Sequence, residues 1–395
     1  VNQVTRVEEV GWGSRIIDSI KGVLIGLLLF VVSFPLLFLN EGRAVHRAKD
    51  LEEGRGAVVE ASAATVDPAH EGRLVHLTGA AATSAALTDG ALGPTAPGAL
   101  RMRRVVQMYQ WVEERSTSTT SQTGGSQRRT TTITYKKDWS EAALDSSTYD
   151  QWRDHSNPPM PLRSEAFEPE RVTVGVRVLT TALVNQAQNY QAFAVQPAQA
   201  PGLAALQRPV AVTADGLYLG AAPAAPAVGD LRVRWESVPA GTVSVLAAQR
   251  GASFDDWRTP SGRTLEPNLE VGDASAAAMF GSLEAGNAVL TWVLRFVGWL
   301  LMFIGLSLIA RPLVVVADVL PFLGSLVGAG AGFMAFAVAS PLSLLTVAVG
   351  WIVYRPLLGV GLFAAGLGLA ALLGKLTADR GRAKNLARTA QRQTA

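Results

Sequence analysis

GVLIGLLLFVVSFPLLFL, residues 22–39, carries no charge, and about 250 residues of mixed polar sequence separate it from a second apolar block over 288–373. A helix rises about 1.5 Å per residue, so an uncharged run of about 18 residues or more is long enough to cross a hydrocarbon core of about 30 Å. The stretch between the two blocks is rich in charges and turn residues, whose backbone groups lipid cannot satisfy. The layout is therefore a membrane protein with one large domain in water. The expected fold is an α+β extramembrane domain inserted between one N-terminal and three C-terminal transmembrane helices.

The spans follow from where the apolar runs break. The first ends at Asn40-Glu41-Gly42-Arg43. It is long for a signal peptide and no small-residue cleavage site follows directly, so it reads as an uncleaved anchor. Residues 288–310 make a second span, closed by Arg311-Pro312. Residues 311–327 contain Asp318 and are too short in apolar run to cross, which predicts an interfacial connector. Making 312–353 two spans would bury Asp318 and two prolines in lipid. Residues 328–353, with Pro341 as a kink, form a third span, and 354–373 a fourth. The domain is then 40–287, with segments 1–21 and 374–395 outside the membrane.

Orientation rests on Lys and Arg near the span ends. Lys375, Arg380, Arg382, Lys384, Arg388 and Arg392 face only Asp379 in the last segment. That tail is expected in the cytoplasm, the N-terminal segment with Arg6, Arg15 and Lys21 beside it, and the domain in the periplasm. Arginine outnumbers lysine 29 to 6 and alanine is frequent, a bias of GC-rich bacterial genomes, so the location expected is a bacterial inner membrane. There is no cysteine, hence no disulfide and no thiol chemistry. A net charge of +3 from 35 basic and 32 acidic residues gives no concentrated basic face, and no nucleic acid partner is expected.

Within the domain, Leu231, Val233 and Trp235 alternate with charged residues and Val243 and Val245 follow after Pro239-Ala240-Gly241. This predicts a short hairpin. A longer hairpin is expected between 104–114 and 130–139, with a mobile Ser/Thr/Gln/Gly tip over 116–127. Val172 to Val178 alternate as a strand, the Pro-Ala stretches 195–209 and 220–228 read as coil, and 275–283 reads as a helix leading to the second span.

No chemistry is announced. His46, His70, His76 and His155 stand in no metal-binding spacing, and no nucleophile elbow, phosphate loop or dinucleotide fingerprint is present. Asp255 and Asp256 are adjacent and read as a surface turn. No catalytic residue, cofactor or metal is expected. Two features remain. Gly324, Gly328, Gly332 and, beside them, Ala331, Ala335 and Ala339 form a small-residue stripe, which in lipid lets helices approach closely, within one protomer or between protomers. Arg295 lies inside the second span, where it either snorkels or finds a partner. With Asn40, Glu41 and Arg43 it makes a candidate clamp, Glu41 pairing with Arg43 or Arg295, or a lipid-headgroup site at the outer interface. The triplet Glu-Gly-Arg recurs at 41–43, 53–55 and 71–73.

Several short runs together resemble one family. Asn40-Glu41-Gly42-Arg43-Ala44, Glu71-Gly72-Arg73-Leu74-Val75-His76, Met108-Tyr109-Gln110-Trp111-Val112-Glu113, Val228-Gly229-Asp230-Leu231-Arg232-Val233 and Tyr354-Arg355-Pro356-Leu357 are similar to the transmembrane protein 43 (LUMA) family, in order from about residue 40 to 360. The resemblance implies four spans, a large lumenal loop and no enzymatic activity. It also implies self-association and the organisation of other membrane proteins, which in eukaryotic members of that family include partners of the nuclear lamina. For a bacterial chain the lamina falls away. The expectation that remains is a non-enzymatic scaffold that binds the lipid bilayer, copies of itself as a homo-oligomer, and other membrane proteins. The alternative is a lipid-binding or lipid-modifying protein.

Overall fold

A computed structural model describes residues 2–356. Among them, three helices are long and apolar enough to cross a membrane: α1 (Trp12–Ala57), α2 (Ala276–Ala317) and α3 (Pro321–Tyr354). One precedes and two follow a sheet-rich region, as the hydropathy required. The fourth expected span, 354–373, lies almost wholly outside the described residues.

The chain divides into two units. The first takes the residues up to Val10, Lys49–Thr120 and Gln127–Ala285. Its principal strands are β1 (Gln3–Val10), β2 (Leu74–Thr83), β3 (Ala99–Ser121), β4 (Gln127–Ser140), β5 (Gly216–Leu219), β6 (Leu231–Pro239) and β7 (Thr242–Arg250). An eight-stranded sheet runs in the order β1-β4-β3-β6-β5 and ends on the strand Val210–Thr213. A seven-stranded sheet centres on β2 and β7, with Val172–Val174 beside β2 and Ser253–Asp255 and Asn268–Val271 beside β7. Each sheet buries its own apolar cluster: Met102, Val106, Leu217, Leu231, Val233 and Trp235 in the first, Val75, Leu77, Val174, Val243 and Val245 in the second. Period-two alternation made these residues legible as strands.

Two expectations are corrected by the strand pairing. The segments around 231–239 and 242–250 do not form a hairpin. β6 pairs with β3 in one sheet, Leu231 opposite Met108, while β7 pairs with β2 in the other, Val245 opposite Leu77. The physical reason is local. Pro239 has no N–H to continue a ladder, the register breaks between Val238 and Pro239, and the backbone of 240–241 bonds apart, Ala240 N–H to Gly98 and Gly241 C=O to Ala81. The chain thus steps from one sheet to the other.

Residues 1–21 are not a separate segment. Gln3–Val10 is β1, hydrogen-bonded along its length to β4, and α1 begins at Trp12. Strands bond only in direct contact, so β1 belongs with the sheet rather than across a bilayer from it. Across the expected connector, 311–327, α2 runs through Pro312 to Ala317, a turn occupies 318–320, and α3 starts at Pro321, where a proline's missing N–H costs nothing.

Candidate functional site

The second unit takes Gly11–Ala48, Ser121–Ser126 and the chain from Gly286. Its three helices meet through small residues. Gly26 of α1 lies against Gly305 of α2, where an added Cβ would stand 2.7 Å from the Gly305 carbonyl oxygen, and Gly298 receives Leu37. Leu37, Met302 and Ala339 are fully buried at the centre. The spacing Gly22-x-x-x-Gly26 is the sequence signal for this contact.

That stripe divides. An added Cβ at Gly324 would run into Asp318, Gly328 meets Val314 at 3.3 Å, and Ala335 and Ala339 are buried in the bundle, so these positions pack within the protomer. Among the described residues, nothing lies within 4 Å of a Cβ added at Gly332 or at Gly330. Ala331 is half-buried.

Glu41, 2% exposed, organises one end of the bundle. Both its oxygens accept from Arg295, at 2.7 Å from Nε and 2.8 Å from Nη2, and Oε2 also accepts from Trp351 Nε1 at 2.8 Å. One carboxylate thereby ties α1 to α2 and to α3. The Arg295 guanidinium is flanked by the rings of Trp292, 4.7 Å away, and Trp351, 5.7 Å away, a favourable cation–π arrangement. So Arg295 does not snorkel; it is a paired interior charge. Arg43 is not the partner of Glu41. It donates to Asn40 Oδ1, to Asn287 Oδ1 at 2.9 Å and to Thr291 Oγ1 at 2.9 Å, and Asn40 donates to the Thr291 carbonyl. The four predicted residues therefore come together as two adjacent couplings of α1 to α2. Gly42 and Gly350 leave room for this, since a Cβ at Gly42 would strike the Tyr354 ring and one at Gly350 the Glu41 side chain.

A second node, unforeseen in the sequence, holds the other end. Arg15 pairs with Asp318, both side chains 8% exposed, and also donates to the Gly125 carbonyl. Ser121 donates to Asp318 at 3.1 Å, Trp12 Nε1 to the Val315 carbonyl at 3.0 Å, and Gly124 N–H to the Val319 carbonyl at 3.0 Å. The tip residues 121–126, expected to be mobile, are thus fixed. Gly124 and Gly125 adopt φ of 92° and 81°, which only glycine takes without strain, and Gly125 lies flat on Trp12. Arg15 and Glu41 are separated by about 39 Å along α1 at 1.5 Å per residue.

Beside the Glu41 node lies an apolar groove of about 600 Å³, walled by Trp292, Phe296, Trp299, Leu344 and Trp351. In the first unit, Asp89, fully buried, accepts from Arg104 at 2.6 Å and Trp235 at 3.0 Å, a structural knot beneath the sheet. His76 is held by Glu60 and the Ala274 carbonyl, and His155 stacks on Tyr135. Among the described residues no three His, Asp or Glu side chains are grouped to hold a metal ion.

The sequence matches a known family. The model of the family described as transmembrane protein 43 covers residues 108–356. Mouse transmembrane protein 43 is 36% identical over 383 residues, spanning 94% of this chain and 92% of the mouse protein. The chain belongs to the transmembrane protein 43 family. The human family member is likewise 36% identical, over 94% of this chain and 93% of its own length, and the Drosophila melanogaster homologue is 30% identical over 87% and 91%. No solved structure matches the chain. The names of these relatives denote membrane proteins and not enzymes.

Proposed function

We propose that this transmembrane protein 43 family member is a non-enzymatic integral membrane scaffold that self-associates and organises other membrane proteins or membrane regions. The observation that carries this reading is the open part of α3. Among the described residues, Gly330 and Gly332 leave bare backbone between the exposed side chains of Leu326, Phe333, Met334 and Phe336. In lipid such a surface is favourable to a second helix, because close backbone approach supplies the packing that no hydrophobic force supplies there. The ion-pair nodes support the same reading, since they spend the polar residues of the bundle on holding helices together. In this reading the protein sits in a bacterial inner membrane, with the basic residues from Lys375 to Arg392 in the cytoplasm and the sheet-rich unit in the periplasm.

A second reading, lipid binding, is favoured by the aromatic groove next to Arg295. It takes acyl chains rather than a headgroup, because Arg295 and Arg43 already have protein partners. One experiment separates the two: native mass measurement of the protein released from nanodiscs. A defined oligomer is the expected result; a monomer carrying one stoichiometric lipid replaces the scaffold reading with the lipid reading.

A further inference from the structure

β1 is the outermost strand of the eight-stranded sheet. Its inner edge bonds to β4 from Gln3 opposite Thr134 to Val10 opposite Gln127, without a bulge, and no other strand among the described residues pairs with it. An eight-residue edge free of proline presents a row of N–H and C=O groups that is a template for another strand. Proteins commonly blunt such edges with charge. β1 carries Arg6, Glu8 and Glu9, in an order that is complementary to its own reverse.

That partner is a second copy of the same strand. In an antiparallel pair about a twofold axis perpendicular to the sheet, the residues facing each other point to the same side and are therefore an even number of positions apart. With the axis at Val7, Arg6 stands opposite the partner's Glu8, Glu8 opposite the partner's Arg6, Val4 opposite the partner's Val10, and Val7 opposite the partner's Val7. Thr5 then faces the partner's Glu9. One face of the joined strands reads valine, arginine, glutamate, valine against its own reverse, with each charge meeting its opposite. The neighbouring registers fail. An axis at Arg6 sets arginine against arginine, and one at Glu8 sets glutamate against glutamate, both destabilising in cross-strand pairs.

The groups concerned are available. Val7 is 58% exposed, an apolar side chain with no core to enter. The side chains of Arg6 and Glu8 are 66% and 68% exposed. Within the chain Glu8 reaches Arg129 at 3.8 Å and Glu9 reaches Arg128 at 3.5 Å, exposed contacts of the kind worth little, while Arg6 pairs with Asp150, whose side chain is 12% exposed. We infer that β1 is a self-association edge, along which two copies join antiparallel with Val7 at the twofold axis to form one continuous sheet. This rests on the self-association reading above and assigns it a surface.

The test uses the full-length protein in nanodiscs or mild detergent and charge exchange between two positions. Arg6→Glu alone sets glutamate against glutamate twice, and Glu8→Arg alone sets arginine against arginine twice. Each is expected to weaken assembly about tenfold, the effect of two reversed cross-strand pairs. Mixing the two variants restores every opposite-charge pairing, as does the double variant R6E/E8R in one chain, so both are expected to assemble like the parent. A purely structural role for Arg6, through Asp150, would not be rescued by mixing. If the parent assembles but the single variants assemble equally well, or mixing rescues nothing, the β1 edge is overturned and self-association stands on another surface. If the parent is a monomer, the self-association reading itself fails and this inference fails with it.

Discussion

At the scale of the residue, Glu41 is the side chain on which most depends. It meets two oxygens' worth of guanidinium and an indole N–H while almost wholly out of water. Replacing it by glutamine leaves Arg295 without a counter-charge, which for a buried pair costs about 3–5 kcal/mol. Glu41→Gln is therefore expected to lower the unfolding midpoint in detergent sharply, and Glu41→Leu with Arg295→Met to regain most of the loss. A double variant no more stable than the single would show that the pair matters for something other than its charges. Glu236, in the sheet, makes a prediction about pH. Burial raises its pKa, but the hydrogen bonds and charges of Arg234 at 2.8 Å and Arg103 at 2.6 Å outweigh burial and hold it below the usual carboxylate range. Its stabilising contribution is present above the unfolded carboxylate value of about 4.3 and is lost as pH falls through the lower folded value. Below about pH 4 the parent should lose stability more steeply than Glu236→Gln; parallel acid limbs would contradict this. The clamp itself was legible: an arginine within an apolar span needs a partner, and Arg295 is one of the two arginines, with Arg43, that Glu41 could be expected to pair. Arg15 and Asp318 were not, because 303 positions separate them and each reads alone as an interfacial charge.

At the scale of the element, strand and helix positions followed from periodicity, while pairing did not. β6 and β7 look like two arms of a hairpin since only two residues intervene, yet each finds a longer ladder elsewhere. The N-terminal strand is the sharper case. Arg6, Arg15 and Lys21 pointed by the positive-inside rule to the cytoplasm, but such flanking charges only bias orientation, whereas eight residues in register demand contact. Thr5 stands opposite Thr132. In a chain without cysteine, Thr5→Cys with Thr132→Cys should therefore oxidise to an intramolecular disulfide, read as a mobility shift reversed by reductant. Two thiols that stay free and label from opposite faces of the membrane would return β1 to the cytoplasm.

At the scale of the whole molecule, the glycines of α3 separate folding from assembly. Gly324→Leu has no space, because Asp318 occupies it, and should destabilise the protomer and release the tip residues 121–126. At Gly332 an added Cβ meets nothing within 4 Å among the described residues, so Gly332→Leu should leave stability within about 0.5 kcal/mol of the parent while reducing oligomer size. An unchanged oligomer for Gly332→Leu would remove α3 from the assembly surface. What the sequence determined by itself is the division between lipid and water: a run of apolar residues long enough to cross a bilayer, or a run of alternating ones, is a local property, and burial of apolar surface makes it decisive. Only the tertiary structure decided which distant charges neutralise one another, which strand lies beside which, and which half of a small-residue stripe is spent inside the protomer. Those are choices among many partners of similar chemistry, settled by geometry over hundreds of residues, and no local pattern encodes them.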